Sequence, residues 1–363
     1  HKITNIKPHY DYIIVGQGLA GTILHFHLFQ KGYTVLCVDN NWEKNSSLVA
    51  AGMYNPIVFK RITKSWMADE LVPYLNQFYP DLENHLNSSF DTKIDILRIF
   101  KNWEQQNDFI AKTEDENYAQ FINSEDCDSL DKNKVNNEFG YGTVTQTGWI
   151  NTKLMLTKYR DFLENESLLL NEKFDFDSLK IEATKVNYKG STANKVIFCE
   201  GTLIQENPYF NYLPMVPTQG EVLTIKIENL DLDKILNKGF FIMPLGDDLY
   251  RVGATYNWKI SHYNTTEEAK AELIEKIKTV FSQEFEIVDH QAGIRPTVND
   301  RKPLIGLHPE HKTLGVFNGM GTKGILIAPY FANLYSDFLD EKAELTKEVN
   351  IDRFIKKHYN KTI

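Results

Sequence analysis

Cysteine is scarce. Three occur in 363 residues, too few to pair fully, and none forms a CxxC pair or a Cys/His cluster of zinc spacing. Cys37 and Cys199 sit in apolar, strand-like runs (TVLCVD and VIFCEG), and Cys127 in a polar stretch. The expectation is reduced thiols in a cytoplasmic protein, with no metal site. Long apolar runs are also missing: the longest fall far short of the ~20 residues of a membrane-spanning helix. No charged stretch followed by an apolar one opens the sequence, so no secretory signal is visible in it. Excess positive charge is absent too. Lys and Arg number 40 against 49 Asp and Glu, a net charge of −9, and an acidic surface repels a phosphate backbone. A nucleic-acid partner is disfavoured unless a local basic patch overrides that balance. What is present, 42% hydrophobic and 25% charged residues, excludes a disordered or collagen-like chain. The length exceeds what one core usually serves, so two domains are expected.

Residues 11–39 carry the strongest signal. Two β-branched runs, Tyr12 to Val15 and Thr34 to Val38, flank Gly16-Gln17-Gly18-Leu19-Ala20-Gly21 and a helix-like stretch from Thr22 to Gln30. Gly16 suits the tight turn out of the strand, Gly18 lets a pyrophosphate approach the backbone, and Gly21 lets helix and strand pack closely. Asp39 follows Gly21 by 18 residues, placed to accept hydrogen bonds from a ribose 2′-OH and to repel a 2′-phosphate. This unit predicts a dinucleotide site without separating FAD from NAD. His25 and His27 on its helix are expected to be surface or packing residues rather than ligands.

Four further segments break the tie: the small-residue stretch Ser46 to Met53, the helix start Gly148-Trp149-Ile150-Asn151, the strand KVIFCEG (195–201), and AGIRPTVNDRKPLIG (292–306) followed by the glycine turn GMGTKGI (319–325). In this order, over roughly residues 10–340, they resemble the FAD-dependent D-amino-acid oxidase / glycine oxidase / sarcosine oxidase family, closest to its bacterial glycine-oxidase-like branch. The resemblance implies an α/β fold: a Rossmann-type FAD-binding domain plus an α+β substrate domain with a mixed or antiparallel sheet. Separated pieces would build the first (9–84, 141–205 and 296–363) and the remainder the second (85–140 and 206–295). Pro208, Pro214 and Pro217 mark one crossover. Cofactor contacts are implied at Gly16, Gly18, Leu19, Ala20, Gly21, Asp39, Asn40, Ser46, Ser47, Ala50, Ala51, Gly52, Met53, Val186, Glu200, Gly201, Gly319, Gly321, Thr322, Lys323, Gly324 and Ile325. Sarcosine oxidases tether their flavin through a late cysteine; none follows Cys199 here, so FAD is expected to be held non-covalently.

The resemblance also implies oxidation of a C–N bond beside a carboxylate. A hydride passes from Cα to flavin N5, the imine hydrolyses, and oxygen or another acceptor takes the electrons. Arg295 is the expected carboxylate grip, with two parallel hydrogen bonds. Amides of 321–324 and the Lys323 ammonium would stabilise negative charge on the reduced ring. GFFIMP and LYRVGAT predict a hairpin about Gly-Asp-Asp, offering Tyr250 as a third catalytic candidate. Tyr54, Arg61, Phe241, Met243, Tyr256, Trp258 and Met320 are pocket candidates. The basic, aromatic run Arg61 to Trp66 either binds a second anionic group or solvates a helix start. Two positions depart from familiar members of the family, Met320 where His is common and Asn151 where Asp is frequent. Thr265 to Phe281 predicts an amphipathic helix capped by Thr265/Thr266, and the basic tail (Lys356, Lys357, His358, Lys361) a solvated helix end. The expected partner is a small carboxylated amine. Two other readings stand beside it: oxidation of a glycine-like side chain on modified tRNA, should Lys60, Arg61 and Lys64 form a patch, and a non-catalytic flavin-binding protein.

Overall fold

A computed structural model describes residues 7–40, 46–123, 130–259 and 264–360; Cys127 and Lys361 lie outside these. The expected βαβ unit opens the chain. Strand His9–Val15 pairs in parallel with Val35–Val38 on one side and Ser191–Phe198 on the other, and helix Leu19–Gln30 makes the crossover. Leu169–Leu170 extends one edge, Leu314–Asn318 and Leu304–Leu307 the other, and Val186–Tyr188 with Leu179–Ile181 complete eight strands. The crossover helix is buried on all sides from Gly21 to Leu28, as a helix apolar all round must be. It packs between the sheet and helix Gly324–Leu339.

A second eight-stranded sheet runs Glu286–Arg295, Thr218–Lys226, Leu249–Gly253, Phe241–Gly246, Ile235–Asn237, Ile96–Ile99, Tyr141–Val144, Ile122–Asn123. Every neighbouring pair is antiparallel except Ile235–Asn237 against Ile96–Ile99. The sheet thus reaches a few residues past 140. Its hairpin turns at Asp247 and Asp248, both at positive φ (54° and 60°), the backbone that matches strand twist in a two-residue loop.

Successive side chains point to opposite faces. Leu223, Ile225, Ile242, Tyr250 and Val252 face a second core with Leu273 and Ile277 of helix Glu267–Lys278, whose cap is Thr266. The other face, with Gly220, Val222, Phe241 and Gly253, roofs a cavity. Helix Thr152–Asn165 starts at Asn151, whose Oδ1 accepts the Leu154 N–H at 3.1 Å; the cap explains an amide there. Among the described residues no helix is long and apolar enough to cross a membrane, and no His/Cys/Asp/Glu group could hold a metal ion.

His25 and His27 are both buried packing residues. His25 donates to the Val35 carbonyl at 2.9 Å and accepts from the Tyr159 hydroxyl at 2.6 Å. His27 sits likewise between the Ile23 carbonyl and the Tyr74 hydroxyl. Burial lowers both from 6.5 to about 4. The unfolded chain therefore takes up these protons first. The stability they contribute is complete above pH 6.5 and is lost as pH falls towards 4, on the order of 3 kcal/mol per ring at most. Thermal-unfolding midpoints of the apoprotein should drop between pH 7.5 and 4.5, and His25→Gln should shrink that drop.

Candidate active site

Backbone contact sets the deep end of the cavity. A Cβ on Gly21 would lie 1.9 Å from the Gly16 carbonyl oxygen, and one on Gly16 2.2 Å from that of Cys199. Only hydrogens fit there, so helix, turn and neighbouring strand close on one another. Gly18 caps the helix in an extended conformation, without a side-chain cap, and this leaves first-turn amides directed at the cavity. The Leu19 amide reaches Ser47 Oγ at 3.1 Å.

Asp39 follows the second strand directly. One carboxylate oxygen accepts the Gln17 amide at 2.9 Å, the other Arg160 Nη1 at 3.1 Å. Arg160 also reaches the Asp39 carbonyl, Gln17 Oε1 and Asn171 Oδ1. Sequence reading missed this arginine. Its signal was an Arg at i+4 from Leu156 and three before Leu163, on the apolar stripe of its helix.

From Gly16, Gly18 and Asp39 the cavity, about 570 Å³, runs past Ser47 and Val49 to Tyr54 and ends beneath the second sheet, beside Arg295 and Gly321–Leu326. That volume suits a large organic ligand. Of the expected residues, Leu19, Ala20, Asn40, Ala50, Ala51, Gly52, Met53, Glu200, Gly201, Thr322, Lys323, Gly324, Ile325, Phe241, Tyr256 and Met320 also line it. Gly21 stands just behind the wall in its packing role.

Others lie elsewhere. Tyr250 is on the opposite face, where its hydroxyl accepts the Leu232 N–H at 3.4 Å. Val186 is buried in the first sheet, and the wall near it comes instead from Lys173, Phe174 and Phe176. Gly319 turns the chain at φ +71° against Val298 and Leu304. Met243 shares Phe241's face yet is sealed in the core. Arg61 is exposed and off the cavity. Ser46 begins a short helical turn, Ser46–Val49; its side chain lies outside the described set. Trp258 is exposed and borders a smaller adjoining hollow with Pro217 and Ile294.

Two cations line the roofed end. Arg295 lies 4.4 Å over the Tyr256 ring centroid and makes only long contacts, 3.4 and 3.5 Å, to the Thr255 carbonyl. Among the described residues no carboxylate pairs with it, and burial pulls its pKa down. Gly220 makes the seat: a Cβ there would fall 2.0 Å from Nη2. Lys323 donates to Ser65 Oγ, and desolvation lowers it from 10.5 to about 8. Ser65 is thus what the Arg61–Trp66 run contributes; Trp66 stacks on Phe331 and binds Glu348. The lining acids are Asp39, Glu200 and Glu206. Glu200, held by Asn207 at 2.9 Å, is raised by burial to about 7.

An open helix N-terminus, an acid one strand away and a second sheet over the far half define a dinucleotide-dependent α/β enzyme with a roofed reaction chamber. The known proteins agree. The family of FAD dependent oxidoreductases matches residues 11–338, and this chain belongs to it. Glycine oxidase from Bacillus subtilis is 24% identical over 374 residues, 96% of both chains. The tRNA 5-methylaminomethyl-2-thiouridine biosynthesis bifunctional protein of Acinetobacter baylyi is 21% identical over 376 residues, 95% of this chain and 56% of that protein. The solved iminodiacetate oxidase from Chelativorans sp. BNC1 has the same fold, at TM-score 0.78 and 16% identity over 93% of this chain and 97% of that one. The protein is an FAD-dependent oxidoreductase of the glycine-oxidase type.

The residues fit that cofactor: a helix N-terminus without a side-chain cap from Gly18 and the close glycine contact at one end, and the 322–324 backbone with Lys323 at the other. Arg160→Met should leave Asp39 buried without its cation. Flavin fluorescence on reconstituting apoprotein should show FAD affinity falling roughly 10-fold or more.

Proposed function

We propose that the protein oxidises the C–N bond of a small α-amino acid or N-substituted glycine, binding its carboxylate through Arg295. The observation that carries this reading is a mostly buried guanidinium with no carboxylate partner among the described residues, lining a cavity beside the Gly321–Lys323 turn. A substrate carboxylate supplies the missing charge through two parallel hydrogen bonds. In this reading the helix N-terminus faces the pyrophosphate, with the Ala20 amide direct and the Leu19 amide acting through Ser47 Oγ, and Asp39, fixed by Arg160, takes the ribose. Bound FAD supplies the two-electron acceptor for the hydride released from Cα.

The chain's own residues do the rest. Arg295 fixes the acid end so that Cα faces the 321–325 backbone. Arg295 and Lys323 together disfavour an ammonium, so the bound amine is held neutral, with the lone pair that expels hydride. Phe241, Val222 and Met320 keep water from the reacting carbon. The imine hydrolyses on release, and oxygen or another acceptor completes the cycle. The same division of labour supports two domains, a dinucleotide domain of 9–84, 141–205 and 296–363 and a substrate domain of 85–140 and 206–295, with strand Tyr141–Val144 moved to the second.

The tRNA relative favours a second reading, with a glycine-like group on RNA as substrate. The geometry weakens its basic patch, because Lys64 is paired with Asp69 at 2.6 Å. Salt-sensitive tRNA retention by the purified protein is the sign expected of that alternative.

The test is an anaerobic screen of amino acids and secondary amines on the FAD-loaded protein, following loss of the yellow flavin absorbance. At least one carboxylated amine should bleach it. Arg295→Ala should lower kcat/KM roughly 100- to 1000-fold with FAD content unchanged. Gly220→Ala, which displaces the guanidinium, should raise KM in the same direction. Failure of every carboxylated amine to reduce the flavin removes this reading.

A further inference from the structure

Arg98 lies in strand Ile96–Ile99. One cross-strand row links it to the cavity roof: Val222 faces Gly253, Gly253 faces Phe241, Phe241 faces Asn237, and Asn237 faces Arg98. Residues directly opposite one another share a face, and the first four all line the cavity. The strand beneath the Arg295 guanidinium is that of Gly220. Arg98 is four strand spacings away, roughly 19 Å of backbone at about 4.8 Å each. The two arginines cannot hold the same carboxylate.

Only 5% of Arg98 is exposed. Its guanidinium donates to Asn237 Oδ1 and lies 5.4 Å from the Phe59 ring centroid; Asn237 and Phe59 both line the cavity. Its Nε is buried with no hydrogen-bond partner among the described residues. No carboxylate pairs with it among the described residues, and burial alone pulls its pKa down to about 10. Lys101 adds a second cation: a Cβ on Gly239, another lining residue, would sit 2.9 Å from its Nζ. Asn237 Oδ1 already serves Arg98 and the Gly239 amide at 3.2 Å. The amide group left over is a hydrogen-bond donor. A buried guanidinium with a spare N–H and no acid is costly unless an anion completes it.

We propose that this end of the cavity binds a second anionic group of the substrate, so that the preferred amine carries a further carboxylate on an arm several atoms long. The first carboxylate stays on Arg295, and to that extent the inference rests on the amine-oxidation reading. The receiving groups are the Asn237 amide and, behind it, the Arg98 guanidinium. Arg61, an earlier candidate for such a role, lies off the cavity.

The test uses holoenzyme and acids that lack an amine and cannot be oxidised at it. Straight-chain dicarboxylates from succinate to pimelate are titrated beside monocarboxylates of equal length, read by perturbation of the flavin spectrum. One dicarboxylate length should bind roughly 10-fold or more tightly than its monocarboxylate counterpart. Arg98→Met should bring that dicarboxylate to the monocarboxylate level; Asn237→Leu serves if that variant fails to load FAD. Dicarboxylates no tighter than monocarboxylates at every length, or an advantage that survives both substitutions, overturns the proposal. A failure of the amine-oxidation reading looks different: no acid of either kind perturbs the spectrum, and Arg295→Ala changes nothing.

Discussion

The cavity depends on a contact between three stretches of backbone. Gly16, Gly21 and the carbonyl of Cys199 approach so closely that no side chain fits between them. The contact brings the crossover helix down on the ends of the parallel strands, where its first-turn amides and Asp39 meet at one opening. Arg160 then holds Asp39 from a helix more than a hundred residues further along the chain. The acid is therefore positioned by tertiary structure, although the strand that carries it is local.

A second constraint is the two-faced roof. One face of the antiparallel sheet is spent on a core with the helix Glu267–Lys278; the other is left over the cavity with glycine at Gly220 and Gly253 and an aromatic at Phe241. Small residues lower the roof where Arg295 needs room. The charge along that roof is positive, while the acids Asp39, Glu200 and Glu206 line other parts of the cavity. A ligand that is anionic at its reacting half matches this distribution.

What could be read from the sequence was local. The βαβ spacing, the two jobs of Gly16 and Gly21, the helix start at Asn151 and the Asp247–Asp248 turn each rest on a few consecutive residues, and family resemblance carried the cofactor. What failed was parity and distance. Tyr250 pairs across from Pro244 and Ile225, so it points away from the cavity; a register shift near Pro244 hides this from simple alternation. Met243 has the correct parity but lies where the core closes. Val186 belongs to an antiparallel arm of the first sheet, and the neighbouring wall is built from 173–176. Arg98 and Arg160 gave no motif, since the partners that tie them to the cavity, Asn237 and Asp39, lie more than a hundred residues away.

The Tyr256 ring over Arg295 has one more consequence. It is 62% exposed, so the guanidinium lies under an aromatic face that is open to solvent on its other side. Any newcomer competes with that ring face, worth about 0.5–2 kcal/mol to a cation. A halide, meeting the fork at a single point, gains little over it, whereas a pair of oxygens in one plane engages both arms. With a carboxylate bound as proposed, the ring sets a threshold that a planar pair of oxygens crosses more readily than an anion meeting the fork at one point.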